Sequence, residues 1–199
     1  KKAREMLDEA RLEKVQIVVS NQLDEHLIKS LLDQKAPIDI FGVGTSLATG
    51  QPDAALDGVY KLSEVNGKPK IKLSENIQKV TLPGVKQVYR YKDESGNFIA
   101  DAIGLAKDEI PQKMIHPYDI EKSMKLDSAN AIPLLNKVMA NGQSLLHNYE
   151  PKDVAAYSKT RLQLLPDEHK RFNNPHIYKV GISEPLHQLR NDLRKKYQV

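Results

Sequence analysis

The sequence predicts an α/β protein that carries an antiparallel β module and closes on helices. Three observations carry this prediction. A strand–helix–strand pattern fills residues 15–42, Asn66-Gly67 separates two alternating runs, and a last β-branched run leads into a leucine-spaced helix. The 199 residues are enough for one ordinary domain or a domain with an appendage.

The stretch KKAREMLDEARLEK (1–14) puts Ala3, Met6, Leu7 and Ala10 at helical spacing with no cap before them, so a helix entered from upstream is expected. VQIVVS (15–20) is a short β-branched strand. Asn21 is the expected N-cap of the next helix, with Asp24 and Glu25 in its first turns. Leu23, Leu27, Ile28, Leu31 and Leu32 form one stripe, and Pro37 stops the helix before the strand IDIFG (38–42). Both strands are nearly all apolar, as expected of a parallel pair covered on both faces. Two parallel strands make no stable sheet, so the expectation is a piece of a longer α/β protein, with residues 1–58 its strand–helix–strand unit.

Residues 59–110 predict an antiparallel β module. VYKLSEV (59–65) and KPKIKLS (68–74) flank the Asn-Gly turn, so paired positions place Leu62 opposite Ile71 and Tyr60 opposite Leu73. The same register sets Lys61 against Lys72, an unfavourable like-charge pair unless both are solvated or meet an acid. KQVYRY (86–91) and FIADAIGL (98–105) predict a second hairpin around residues 93–97. Residues 111–199 form a C-terminal region. There MIHPYDIEKSMKL (114–126) reads as loop, broken by Pro117; 151–166 reads as helix and 176–183 as strand. Ser183 can cap a final helix with Pro185 in its first turn and Leu186, Leu189 and Leu193 on one stripe.

Composition narrows the function classes. Apolar residues make up 40% and charged residues 28%, which is globular and soluble. No apolar run approaches the roughly 20 residues that span a bilayer, and no leader pattern opens the chain, so no membrane role is expected. The absence of cysteine excludes disulfides, zinc thiolates and a thiol nucleophile, and suits the cytoplasm. The net charge of +4 is too small to argue for nucleic acid. Its distribution is uneven: Tyr60 to Lys92 holds eight bases and two acids. That segment is either a solvated strand face or a field for anionic ligands.

The stretch IDIFGVGT raises the sharpest question of chemistry. Gly42-Val43-Gly44-Thr45 ends a parallel strand, where α/β folds bind ligands. Either a tight turn needs the glycines, or backbone N–H groups and the Thr45 hydroxyl must approach a phosphate. The motif lacks the third glycine of G-x-G-x-x-G and is not a GKS/T loop. Ser20-Asn21 ends the neighbouring strand and opens a helix, which is either plain capping or a second anion wall. Adjacent parallel strands put both turns at one sheet edge. The six histidines (26, 116, 147, 169, 176 and 187) show no metal spacing and read as structural or surface groups. No nucleophile–base set is recognisable.

Residues 18–50, VVSNQLDEHLIKSLLDQKAPIDIFGVGTSLATG, resemble the late-barrel segment of nicotinate phosphoribosyltransferases. Residues 58–90 resemble that family's long signature more closely, through Val59-Tyr60-Lys61-Leu62, Lys72-Leu73-Ser74 and Lys79-x-Thr81-x-Pro83-Gly84-x-Lys86. YKVGISEPLHQLRNDL (178–193) is similar to its C-terminal strand and helix. Asp57, where the family usually has glycine, and Ser46-Leu47-Ala48 depart from the pattern.

The resemblance implies the C-terminal part of a phosphoribosyltransferase-type α/β barrel with the β module and terminal helices packed on it. It implies an enzyme of NAD biosynthesis that joins nicotinate to phosphoribosyl pyrophosphate, giving nicotinate mononucleotide and pyrophosphate. ATP hydrolysis, a phosphorylated histidine and Mg2+ belong to that reaction, with their residues outside this chain. A homodimer is implied as well. By the same resemblance Ser20, Asn21, Gly42, Gly44 and Thr45 hold the 5′-phosphate of the phosphoribosyl group, and Lys61 is a further candidate for anion contact. The alternative is a non-catalytic anion-binding or oligomerisation fragment.

Overall fold

The computed structural model describes every residue except 53, 56, 57, 147, 148, 198 and 199, so Asp57 and His147 lie outside the described residues. The chain divides into two units, Lys1–Val59 and Tyr60–Val199.

The first unit runs α1 (Lys2–Glu9), β1 (Val18–Ser20), α2 (Glu25–Asp33), β2 (Ile40–Gly42) and α3 (Thr45–Thr49). Helix α1 is shorter than its apolar spacing predicts. Arg4 reaches past the helix end and donates to the carbonyls of Leu12 and Val15, and Arg11 turns left-handed, so the chain folds back. The strands pair in parallel with Val18 opposite Ile40 and Ser20 opposite Gly42. The cap of α2 is a correction. Asn21 and Gln22 adopt positive φ and extend the turn, so Asp24 is the N-cap and its carboxylate accepts from the Leu27 N–H at 2.7 Å. Coverage of both sheet faces is corrected too. Val18 is 60% and Ile40 43% exposed, and Leu23 is the single buried side chain among the unit's described residues. Two strands and the helix between them form too few layers to bury more.

The second unit begins with β3 (Glu64–Val65) and β4 (Lys68–Pro69), turned by Asn66 and Gly67 at φ 48° and 69°. The register is the expected one, Glu64 opposite Pro69 and Val65 opposite Lys68, and the Lys70 N–H carries it one bond further to the Ser63 carbonyl at 2.8 Å, where the ladder ends. The Lys72 N–H and carbonyl bond Thr81, and the Ser63 carbonyl takes the Gly84 N–H. These bonds wrap residues 70–84 around the hairpin base. The expected Leu62–Ile71 and Tyr60–Leu73 face does not form, and Tyr60 is fully exposed.

A six-stranded sheet follows. Its strands are β5 (Lys86–Lys92), β6 (Phe98–Leu105), β7 (Lys113–His116), β8 (Asp119–Lys125) and β9 (Ala131–Pro133), then, after the small ribbon β10 (Met139–Ala140) and β11 (Gln143–Ser144) and helix α4 (Pro151–Gln163), β12 (Val180–Ile182). The order is β8-β7-β12-β6-β5-β9. The sheet thus draws on residues both before and after 110. Strands β5 and β6 form the second predicted hairpin, Tyr89 opposite Ala102 and Tyr91 opposite Ala100. The expected loop at 114–126 is instead the β7–β8 hairpin, with Pro117 in its turn rather than across a strand. Strand β12 runs parallel to β6 and antiparallel to β7. Helix α5 (Glu184–Tyr197) follows, with the Leu186 N–H donating to Ser183 Oγ as the sequence predicts.

Two clusters make the core. Tyr89, Tyr91, Ala100, Ala102, Met114 and Leu126 form one, and the Tyr91 hydroxyl donates to the Pro111 carbonyl. Leu105, Ile115, Ile182 and Leu186 form the other, where α5 lies on the sheet, with Leu82, Ile103 and Leu189 packed against the cluster. Strand β12 fits between its neighbours because Gly181 has no side chain. A Cβ there would sit 2.8 Å from Met114 Sδ and 2.9 Å from the Ile115 carbonyl oxygen. Gly181→Ala is therefore expected to cost about 1–3 kcal/mol by overpacking, read as a lowered denaturant midpoint with an unchanged slope.

Candidate functional site

The candidate site is built by the ends of β1 and β2. Because Ser20 faces Gly42 in register, both chains leave the sheet at the same edge. After β1, Asn21 and Gln22 turn left-handed at φ 86° and 47°. After β2, Gly44 precedes α3, and its carbonyl accepts from the Ala48 N–H at 2.9 Å. Ser20, Asn21, Gly42, Gly44 and Thr45 are all exposed. Among the described residues no side-chain hydrogen bond engages the Ser20 hydroxyl, the Asn21 amide or the Thr45 hydroxyl. The edge thus gathers free polar groups and exposed backbone on two adjoining turns.

The two glycines have different reasons. A Cβ on Gly42 would lie 3.1 Å from Ser20 Cβ, so close strand approach explains it. At Gly44 a Cβ would meet nothing within 4 Å, and its φ of −111° lies outside the left-handed region. Local packing therefore does not call for glycine at 44. An open face on the backbone is what a phosphate group needs. Helix α3 has only five residues, so its dipole is short and the amides and hydroxyls carry the chemistry.

Lys61 belongs to the second unit, exposed and outside any strand. Lys72 does not face it in a ladder, because the backbone of Lys72 is bonded to Thr81. The basic segment is also less free than its charge count. Arg90 donates to both carboxylate oxygens of Asp101, at 2.9 and 2.7 Å, which holds its guanidinium charged. Lys86 donates to the carbonyls of Leu82 and Gly84, and burial pushes its amine down from the ordinary value. Lys61, Lys68, Lys70, Lys72 and Lys79 remain exposed.

Elsewhere in the second unit a groove of about 750 Å³ runs between the β7–β8 hairpin and the approach to β12, lined by Met114, Met124, Ile177 and Val180 beside His116 and Tyr118. It is mainly apolar and gathers no set of acids. His169 Nδ1 lies 2.7 Å from the His176 carbonyl oxygen and its ring stands edge-on to Tyr178. Among the described residues no group of three His, Asp or Glu side chains is placed to hold a metal ion. The described residues therefore do not fit a protein-built magnesium site, and no helix among them is long and apolar enough to cross a membrane.

Sequence reasoning missed three features of this unit: the β7–β8 hairpin, the bidentate Arg90–Asp101 pair and a buried arginine on α5, Arg190. The last was legible in outline, since Arg190 lies four residues after Leu186 on the face that packs.

Comparison with known proteins gives one consistent answer. The family profile "Nicotinate phosphoribosyltransferase C-terminal domain" matches residues 85–190. Nicotinate phosphoribosyltransferase of Bacillus subtilis (strain 168) is 38% identical over 193 residues, covering 92% of this chain and 39% of that protein. The Homo sapiens enzyme of the same name is 35% identical over 190 residues, covering 92% and 35%. In structure, human nicotinic acid phosphoribosyltransferase superposes with a TM-score of 0.66 at 30% identity, covering 96% of this chain and 35% of that one. Nicotinate-nucleotide pyrophosphorylase from Pyrococcus furiosus gives 0.53 at 26% identity, covering 82% and 35%. The chain thus spans well under half the length of the relatives it matches. It belongs to the nicotinate phosphoribosyltransferase family, as a mixed α/β chain that matches the family's C-terminal domain.

Proposed function

We propose that the chain is part of an enzyme that transfers the phosphoribosyl group of phosphoribosyl pyrophosphate to nicotinate, forming nicotinate mononucleotide and pyrophosphate in NAD biosynthesis. The observation that carries the local role is the register of Ser20 with Gly42, which brings two turns of unengaged polar groups to one edge. In this reading the N–H groups of Gly44 and Thr45, the Thr45 and Ser20 hydroxyls and the Asn21 amide hold the 5′-phosphate. Strands β1 and β2 then belong to an α/β barrel completed by the rest of the polypeptide.

The edge breaks no bond. Its contribution is positioning: an anchored phosphate fixes the ribose so that C1 keeps one orientation while pyrophosphate leaves and nicotinate nitrogen attacks. Positive charge develops at C1 as the C–O bond lengthens, and a fixed ring keeps that charge aligned with the incoming nitrogen. ATP and Mg2+ would in this reading be held by groups outside the chain, where the metal would offset phosphate charge. The enzyme works as a homodimer in the cytoplasm, with small-molecule substrates and neither nucleic acid nor membrane as partner.

The test is product formation by the intact protein. With nicotinate, phosphoribosyl pyrophosphate, ATP and magnesium it is expected to release nicotinate mononucleotide and pyrophosphate in equal amounts. Nicotinamide in place of nicotinate is expected to give no comparable turnover. A preparation of correct mass that makes no nicotinate mononucleotide contradicts the reading.

A further inference from the structure

Helix α5 buries a guanidinium that has no carboxylate. Arg190 is 3% exposed, and Nη2 donates to the Pro117 carbonyl in the β7–β8 turn at 2.6 Å. Its Nε is buried without a partner, and so is Nε of Arg194, one helical turn further on. Neither arginine is in an ion pair among the described residues. The Asp108 carboxylate has a buried, unpartnered oxygen of its own but pairs with neither.

This treatment differs from that of the other half-buried cations. Arg90 has both oxygens of Asp101. The Lys86 ammonium has two carbonyls. Arg190 has one carbonyl for five N–H donors, and the charge that acts on it most is a second arginine, Arg194. Burial and Arg194 push its guanidinium down from the ordinary value, and burial together with Arg190 pushes His187 down. The dipole of α5 favours cations in its last turn, which accounts for Arg194. It does not account for two buried, unbonded Nε groups, because a desolvated charge needs a counter-charge or a full set of acceptors.

We propose that Arg190 and Arg194 form a binding site for an oxyanion, a phosphate or carboxylate group, beside the β7–β8 turn. The planar guanidinium forks match either group. The site lies in the second unit and does not rest on the role of the β1–β2 edge. Two sources supply that chemistry, phosphate free in solution and a carboxylate of the polypeptide itself, and one experiment separates them.

The experiment follows thermal unfolding of the intact protein carrying Gly44→Val, which weakens the β1–β2 edge proposed above to hold phosphate, with inorganic phosphate as probe at constant ionic strength. Arg194→Met keeps the side-chain stem and removes the charge; Arg194→Lys keeps both stem and charge. A saturable rise of melting temperature with phosphate that Arg194→Met abolishes supports the proposal and identifies free phosphate. No response to phosphate, with a fall of several degrees in Arg194→Met that Arg194→Lys largely restores, supports it and identifies a carboxylate. If Arg194→Met melts at the same or a higher temperature and phosphate does nothing, the proposal is overturned, because removing one of two repelling charges then costs nothing. A phosphate response that Arg194→Met leaves intact, with no fall in its melting temperature, overturns it as well.

Discussion

Gly44→Val is expected to raise the dissociation constant of phosphoribosyl pyrophosphate in the intact protein by tenfold or more, at least about 1.4 kcal/mol, with little change in stability. The structure separates the two effects. A Cβ at residue 44 meets nothing within 4 Å, so added bulk costs the protein little. The same bulk lies on exposed backbone, where a phosphate must approach the N–H groups to bond them. Gly42→Val makes the contrasting case. Its Cβ would lie 3.1 Å from Ser20 Cβ, so stability and binding should fall together. Ser20→Ala should do less than either, about 1 kcal/mol in binding, because it removes one neutral hydrogen bond. Calorimetric titration beside a thermal melt reads both quantities. An unchanged dissociation constant in Gly44→Val sinks the phosphate assignment.

Asp101→Ala is expected to destabilise the sheet by about 3 kcal/mol. Asp101 is buried in the middle of β6, accepts both N–H groups of Arg90 across the strand pair, and takes the Tyr178 hydroxyl at 3.1 Å. Removing it leaves the half-buried guanidinium without a counter-charge and a tyrosine without its acceptor. The tyrosine depends on that acceptor, since burial and Asp101 together raise its phenol above the ordinary value. Arg90 and Arg161 also lie over the Phe98 ring, 4.6 and 4.5 Å from its centroid, so a displaced Arg90 loosens that contact as well. Asp101→Asn should cost less, because one amide oxygen still accepts. Urea unfolding of the three proteins settles the order, and equal midpoints contradict it.

What the sequence made legible is what short-range rules govern. The Asn66-Gly67 turn and its register follow from the left-handed φ that both residues adopt. The β5–β6 hairpin follows from alternation, and the Ser183 cap from a hydroxyl placed just before Glu184. The shared edge of β1 and β2 follows from a parallel pair with one crossover helix. The misses lie where non-local contacts decide. Strand β8 reads DIEKSMK, polar and mostly exposed at the sheet edge, and no periodicity announces such a strand. Asn21 has the chemistry of a cap, but a two-residue left-handed turn moved that role to Asp24. The hairpin from Tyr60 to Leu73 had an apolar face on paper, yet beyond the Ser63–Lys70 bond the backbone of Lys72 pairs with Thr81 instead of with residue 61. Of the candidate site, the juxtaposition of the two turns was readable. The differing demands on Gly42 and Gly44 were not, because free space around a residue is a property of the fold.

The most direct test of the central claim is a crystal structure of the intact protein with phosphoribosyl pyrophosphate bound. The account predicts the 5′-phosphate at the β1–β2 edge, with its oxygens about 2.7–3.2 Å from the N–H groups of Gly44 and Thr45 and from the Ser20 or Thr45 hydroxyl. A phosphoribosyl group bound with its 5′-phosphate elsewhere, and these residues still open to solvent, would contradict it.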